Sequence, residues 1–265
     1  MNQKMNKAQQ MRSKFARGEL VVGGHVFYTD CEITEALGCH GFEFVWIDAE
    51  HSAFDKACIL HHIIAAASGN TASIVRVAWN DPVRIKPILE MGPDGIILPM
   101  VSSAEEARRA VSACSYPPLG VRGFGPRRAN QYGALETRDY LKDVNDSFLR
   151  IVQIEHQSAV EHLEEILAVE GIDLAMVGPN DLSASIGHLG DTRHPDVIAL
   201  YDRIEETCKR LHKPFGVSLG AGDEASIRDW IGRGVNMLGC GDDIAYLSLG
   251  CKRTFDLIGR IASGR

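Results

Sequence analysis

The sequence predicts an α/β fold, a single (β/α)8 TIM barrel, on three observations. Eight short apolar runs are spread along the 265 residues, the segments between them carry helix caps and helical spacing, and the polar residues able to do chemistry cluster where the runs stop. The runs are near-continuous and rich in β-branched residues rather than strictly alternating, as strands covered on both faces should be.

The runs occupy residues 20–24, 42–48, 72–77, 95–98, 149–154, 174–177, 215–217 and 237–239. After the third, Asn80-Asp81-Pro82 offers an N-cap followed by proline in the first turn, and Ile85, Ile88 and Leu89 recur at helical spacing. After the fourth, Ser103-Ala104-Glu105-Glu106 fits a capping box that leads into Ala107, Ala110 and Val111. Helices over 160–169, 197–211 and 224–232 complete the alternation, each closed by a nearby Gly, His or Lys. One long connection, from Tyr116-Pro117-Pro118 to Arg128 and on through Tyr132-Gly133, has the composition of an ordered loop. Loops of that length are usually lids or binding segments. No domain boundary is visible, so residues 1–265 read as one domain, with an N-terminal helix in 1–19, the barrel in 20–247 and a C-terminal helix in 248–265.

A net charge of -7 argues against a nucleic-acid backbone as partner, because such proteins usually carry a basic surface. The seven cysteines are widely spaced, odd in number and include no C-x-x-C pair, which fits a reducing cytoplasm and no structural zinc. No stretch approaches the ~18 apolar residues of a membrane span, and the polar, basic N-terminal segment lacks the apolar core of a signal peptide. The expected location is cytoplasmic, without a membrane partner.

The chemistry-bearing residues sit at run ends. Glu155 follows the fifth run, and Asp181 lies in Gly178-Pro179-Asn180-Asp181 after the sixth. Two carboxylates meeting at one barrel mouth make a site for a hard divalent cation; the alternative is that each caps a helix or pairs with a basic residue. Asp48-Ala49-Glu50-His51 follows the second run, where an aspartate can orient a proton-shuttling histidine; otherwise Asp48 is a turn former and His51 a loop residue. Arg76 lies in the third run, where an unpaired guanidinium is costly, so it needs an anionic partner: Asp48, Glu50 or a substrate oxyanion. No lysine ends a run, which disfavours Schiff-base catalysis. His61, His62, His188, His194 and His212 read as surface residues, and the glycines at 220–222 and 239–241 as an anion cradle or plain turns.

Taken in order, Asp48-Ala49-Glu50-His51, Leu98-Pro99-Met100-Val101, Tyr116-Pro117-Pro118 through Arg122-Gly123, Gln153-Ile154-Glu155 and Gly178-Pro179-Asn180-Asp181-Leu182-Ser183 resemble the HpcH/HpaI aldolase family from about residue 20 to 247. The resemblance implies a (β/α)8 barrel and a class II, metal-dependent pyruvate aldolase, of the kind that acts on 4-hydroxy-2-oxoheptanedioate or 2-keto-3-deoxy sugar acids. It implies Glu155 and Asp181 as metal ligands, with Mg²⁺ or Mn²⁺ ahead of Co²⁺ or Zn²⁺. His51 with Asp48 would handle the proton, Arg76 would face the reacting carbonyl, and Gln153, Gly178, Pro179, Asn180 and Arg122 would bind substrate. Glu90 aligns with an aspartate that some relatives contribute to a neighbouring subunit's site, and a homo-oligomer, a hexamer, is implied.

The expected reaction is reversible cleavage of a 4-hydroxy-2-oxo acid to pyruvate and an aldehyde through a metal-stabilised enolate. Two alternatives stand beside it: a CoA-thioester lyase of the citrate-lyase-like type, and a non-catalytic metabolite-binding barrel.

Overall fold

The structure, a computed structural model, describes residues 5–264; residues 1–4 and 265 of the two terminal segments lie outside it. Eight parallel strands close into a barrel in chain order: β1 (Val21–Val26), β2 (Phe44–Asp48), β3 (Ala72–Arg76), β4 (Gly95–Leu98), β5 (Leu149–Ile154), β6 (Leu174–Val177), β7 (Phe215–Leu219) and β8 (Met237–Asp242), with β8 pairing back onto β1. Helices follow the strands on the outside, as the sequence predicts. β7 and β8 run further towards the mouth than their apolar runs, because Ser218 and Leu219 keep pairing with Gly239 and Cys240. Backbone ladder bonds continue there where side-chain hydrophobicity stops.

Side chains alternate between two cores, which explains the continuous apolar runs. Val45, Ile47, Val75, Val152, Ile154, Ala175 and Val177 pack outward against the helices. Phe44, Trp46, Ile74, Leu149, Ile151, Leu174 and Met176 fill the barrel interior. The helix Lys7–Ala16 closes the base of that interior with Ala8, Met11 and Phe15. Continuing the inward parity towards the C-terminal ends of the strands leads to Asp48, Arg76, Gln153 and Gly178, and on β1, β7 and β8 to His25, Ser218 and Gly239.

The caps are informative. Asp81 accepts from Val83 N at 2.7 Å and Pro82 opens the helix Pro82–Glu90. Ser103 accepts from Glu106 N, but the Glu106 carboxylate reaches Ser102 N at 2.7 Å, so the reciprocal half of the expected box lands one residue earlier. The helix expected over 160–169 is instead two short ones, Gln157–Glu161 and Leu163–Leu167, broken at His162, whose Nδ1 lies 2.8 Å from Ser158 O inside the helical ladder. His62 is fully buried beside Thr34 Oγ1 at 2.7 Å, so it is a core histidine and not a surface one.

The long connection is not a lid over the mouth. Tyr116 packs with Tyr140 and Val144, and Arg128 Nη1 donates to Met91 O and Gly92 O, which carries the segment down the barrel's flank to its N-terminal end. The last helix begins at Asp243, tied to β1 by Phe27 N and Tyr28 N donating to Asp243 Oδ2 at 2.9 Å, and runs to Ser263. Beyond that anchor Leu247, Leu249, Phe255, Leu257, Ile258 and Ile261 are exposed. Among the described residues, no helix is long and apolar enough to cross a membrane.

Candidate active site at the barrel mouth

Asp48 and Arg76 end β2 and β3 as direct register partners, so their side chains leave the sheet at one height and on one side. Arg76 Nε donates to Asp48 Oδ1 at 3.2 Å, and Nη2 to Asp48 Oδ2. Nη1 lies 3.0 Å from Glu50 Oε2, and the guanidinium sits 5.2 Å from the centre of the Trp46 ring. Although burial raises the Asp48 pKa, the Arg76 hydrogen bond and charge, with the Glu50 and His51 amides, hold it below the usual carboxylate range. Glu50, less fully compensated, moves the other way: burial, then the neighbouring Asp48 and Asp181 charges, raise it against Arg76.

That arrangement corrects one expectation. Asp48 does not orient the His51 ring: its Oδ1 accepts the backbone N–H groups of Glu50 and His51, and both oxygens engage Arg76. The carboxylate beside the imidazole is Glu50, whose Oε2 is 3.8 Å from His51 Nε2. His51 itself stands at the rim, with its side chain 64% exposed.

On the adjoining wall, Glu155 is buried, with Oε1 accepting from Met100 N at 2.6 Å and Oε2 from Gln153 Nε2. Met100 adopts φ +54, a left-handed conformation unfavourable for a side-chain-bearing residue, and its amide is aimed at that carboxylate. Burial, then the charges of Glu50 and Asp181, push Glu155 up to about 7 against the Met100 hydrogen bond. Gly178 bonds through its N–H to Ile154 O, and a Cβ there would come within 3.0 Å of Gln153 Nε2 and 3.2 Å of Glu155 Oε2. The absent side chain keeps the space beside both residues open. Pro179 starts the helix Pro179–Ser185, and Asn180 and Asp181 in its first turn are exposed at the mouth.

These residues fit a hard divalent cation. Glu155 and Asp181 supply carboxylate oxygens in mutual electrostatic range, Asp48 and Glu50 already occupy Arg76, and Gln153 Oε1 is buried without a partner beside the Gly178 opening. Among the described residues, the three-donor cluster His188, His194 and Asp196 lies elsewhere, where the His194 ring caps the helix Pro195–Arg210 through Asp196 N.

Arg122 and Glu90 do not join this set. They pair with each other, Arg122 Nη2 to Glu90 Oε1 at 3.2 Å, with the guanidinium 4.4 Å from the Tyr116 ring centre under the long connection. Arg122 is therefore not a substrate ligand at the mouth of this chain. Its guanidinium is buried on the flank because Glu90 ends a helix that starts at the mouth and runs away from it for nine residues. Glu50 was expected only as a partner for Arg76, and sequence reasoning left two mouth residues out altogether: His25 and Ser218, which only the inward parity of β1 and β7 reveals.

The sequence profile described as HpcH/HpaI aldolase/citrate lyase matches residues 26–244. The chain is 35% identical over 245 residues to the hydroxypyruvate/pyruvate aldolase of Roseovarius nubinhibens, covering 92% of this chain and 94% of that protein. It is 37% identical over 224 residues to the 5-keto-4-deoxy-D-glucarate aldolase of Salmonella arizonae, covering 84% and 86%. The crystal structure of an HpcH/HpaI aldolase from Desulfitobacterium hafniense superposes with a TM-score of 0.85 at 30% identity, over 93% of this chain and 95% of that one.

Proposed function

The chain belongs to the HpcH/HpaI aldolase/citrate lyase family and is a carbon–carbon lyase, an aldolase, and we propose that it reversibly cleaves a 4-hydroxy-2-oxo acid into pyruvate and an aldehyde with a divalent cation, Mg²⁺ or Mn²⁺, held by Glu155 and Asp181. The observation that carries this reading is the crowding of four carboxylates at the mouth: Asp48 and Glu50 both engage Arg76, and Glu50 and Asp181 both bear on Glu155. A site so rich in acceptors calls for added positive charge. Relatives named for pyruvate, hydroxypyruvate and a keto-deoxy sugar acid support a 2-oxo acid as the donor.

Bound there, the cation supplies Lewis-acid stabilisation of charge on the 2-oxo acid. Gln153 and the opening at Gly178 receive the 2-oxo acid end of the substrate beside Glu155. Arg76, fixed by Asp48 and Glu50, directs its remaining N–H donors at the oxygen that becomes the enolate as the C3–C4 bond breaks. His51 takes the proton from the 4-hydroxyl, and the nearby Glu50 carboxylate favours the imidazolium that results. The aldehyde then leaves and C3 regains a proton. In the condensation direction the same groups act in reverse order.

Arg122 is buried against Glu90 and Arg128 is engaged by backbone carbonyls, so neither builds a phosphate-binding groove of the kind the CoA-lyase alternative needs. The exposed apolar face of the helix Asp243–Ser263 supports assembly of several copies, a hexamer by family resemblance. Its free cysteines fit a reducing cytoplasm. The test of function is exchange of the pyruvate methyl protons in D₂O, followed by NMR with Mg²⁺ or Mn²⁺ and again with chelator. Exchange that appears with the metal and disappears with the chelator is expected; exchange that persists in chelator overturns the metal assignment, and none under either metal overturns the aldolase reading.

A further inference from the structure

The pyruvate-side residues identified above come from β3, β5 and the start of the segment after β6. In a closed eight-stranded barrel β7 lies opposite β3, so the wall made by β7, β8 and β1 is left for the other half of the substrate. On that wall stands a polar pair with no part in the chemistry so far. Ser218 Oγ, on β7, lies 2.9 Å from His25 Nε2, on β1, and His25 Nδ1 lies 2.8 Å from Gly241 O, on β8. His25 is 7% exposed and Ser218 only partly covered, so the ring is interior and the hydroxyl is at the mouth.

The fold makes room for this pair deliberately. A Cβ on Gly239 would lie 3.0 Å from His25 Cε1, so a side chain there would displace the ring, and Gly241 adopts φ +78 where it presents its carbonyl to Nδ1. On its other face His25 packs on Trp46, 4.8 Å between ring centres, and Trp46 in turn lies beneath Arg76. The serine and the arginine are therefore walls of one mouth.

Hydrogen-bond directions follow from the partners. A carbonyl oxygen only accepts, so Nδ1 carries the hydrogen given to Gly241 O. Burial, its largest influence, and the Arg76 charge lower the His25 pKa and favour the neutral ring, which leaves Nε2 bare to accept the Ser218 hydroxyl hydrogen. With its only hydrogen committed, Ser218 Oγ turns lone pairs to the mouth, where it accepts but does not donate. A hydroxyl group satisfies such an oxygen; a methyl group leaves it desolvated and unpaired.

We infer that Ser218, held as an acceptor by His25 and Gly241, is a hydroxyl-recognition residue for the aldehyde half of the substrate. The inference rests on the aldolase reading above.

The experiment compares glycolaldehyde with acetaldehyde, which differ by one hydroxyl, as acceptors for pyruvate in the condensation direction. The quantity read is the ratio of their kcat/KM values, in the wild type and in Ser218→Ala. The substitution is expected to shrink the ratio about 3- to 10-fold, the range of one neutral hydrogen bond, chiefly through a higher KM for glycolaldehyde. A ratio that Ser218→Ala leaves unmoved, in a wild type that exchanges pyruvate methyl protons, overturns the hydroxyl assignment alone. Absence of that exchange in the wild type overturns the aldolase reading and this inference with it. The ¹⁵N spectrum of the His25 ring reads the hydrogen-bond directions independently: an unprotonated Nε2 is expected, and a protonated Nε2 overturns the acceptor role.

Discussion

The two ends of the barrel handle polar groups in opposite ways. At the base, the residue before each even-numbered strand reaches across to the amide near the start of the preceding strand. Glu43 accepts from Val22 N at 3.3 Å, Asp94 from Ser73 N at 2.9 Å, Asp173 from Arg150 N at 2.7 Å and Asn236 from Phe215 N at 3.4 Å. The spare acceptors are filled as well: Asp173 by Arg12 Nε at 2.7 Å, Glu43 by Lys14, and Asp94 by Ser73 Oγ at 2.9 Å. At the mouth, four carboxylates (Asp48, Glu50, Glu155 and Asp181) crowd together beside Arg76, Gln153 Oε1 has no partner, and Glu50 Oε2 sits near Arg76 Nη1 without hydrogen-bond alignment. The base gives each of these carboxylates a donor and serves stability; the mouth leaves acceptors without donors, the division of labour expected between the two faces of this fold.

Substitutions that break the contrast should separate activity from stability. The largest effect is expected for Glu155→Gln at the mouth. Loss of this carboxylate should remove metal-dependent pyruvate exchange, well beyond the ~10–100-fold that losing a supporting outer contact costs. The same variant should alter the pH dependence of stability. In chelator, the folded wild type retains a proton on Glu155 up to about 7 that the unfolded chain releases near 4.5. Its stability should therefore be full below the lower value and fall as pH rises through the upper one, by up to about 3 kcal/mol at roughly 1.4 kcal/mol per unit. Urea denaturation across that range should show the slope in the wild type and a flatter line in Glu155→Gln; parallel lines would show that burial and the neighbouring carboxylates do not hold the proton on Glu155.

Next in size is Arg76→Lys, which keeps the charge but not the fork that spans Asp48 and Glu50. Turnover should fall about 10²- to 10³-fold, as when an oxyanion donor is removed. Unchanged turnover would reduce Arg76 to a structural partner of Asp48. The smallest effect is expected at the base: Asp173→Ala strands the Arg150 amide and removes the ion pair of Arg12, whose guanidinium keeps only Asp146 O and Phe148 O, and should cost about 1–3 kcal/mol of stability by denaturant titration. Pyruvate exchange should stay near the wild-type rate, since Asp173 is at the far end of the barrel. A loss of exchange without a loss of stability would erase the distinction between the two ends.

Part of the candidate site was legible because strand ends are where a barrel concentrates polar residues. Asp48, Arg76, Gln153, Glu155, Gly178 and Asp181 all follow or end apolar runs, and β2 and β3 bring Asp48 and Arg76 into register. Arg122 misled because an arginine in a long Gly-rich loop looks the same in sequence whether the loop folds over the mouth or down the flank. Which of these happens depends on packing of Tyr116 with Tyr140 and on the Glu90 contact. His51 and Asp48 lie three residues apart, yet proximity in sequence did not join their side chains: the turn spent Asp48 Oδ1 on two backbone amides.

By itself, then, the sequence determined the eight-fold alternation, the strands and most caps, since these depend on local hydrophobic spacing and on side chains a few residues apart. Tertiary structure alone decided how far β7 and β8 extend, which carboxylate neighbours the His51 ring, and that Ser218, His25 and Gly241 meet. Those contacts join residues up to 216 positions apart, and only closure of β8 against β1 brings them together. A local pattern can specify the direction in which a side chain leaves a strand; the partner it meets there depends on the closed ring of strands.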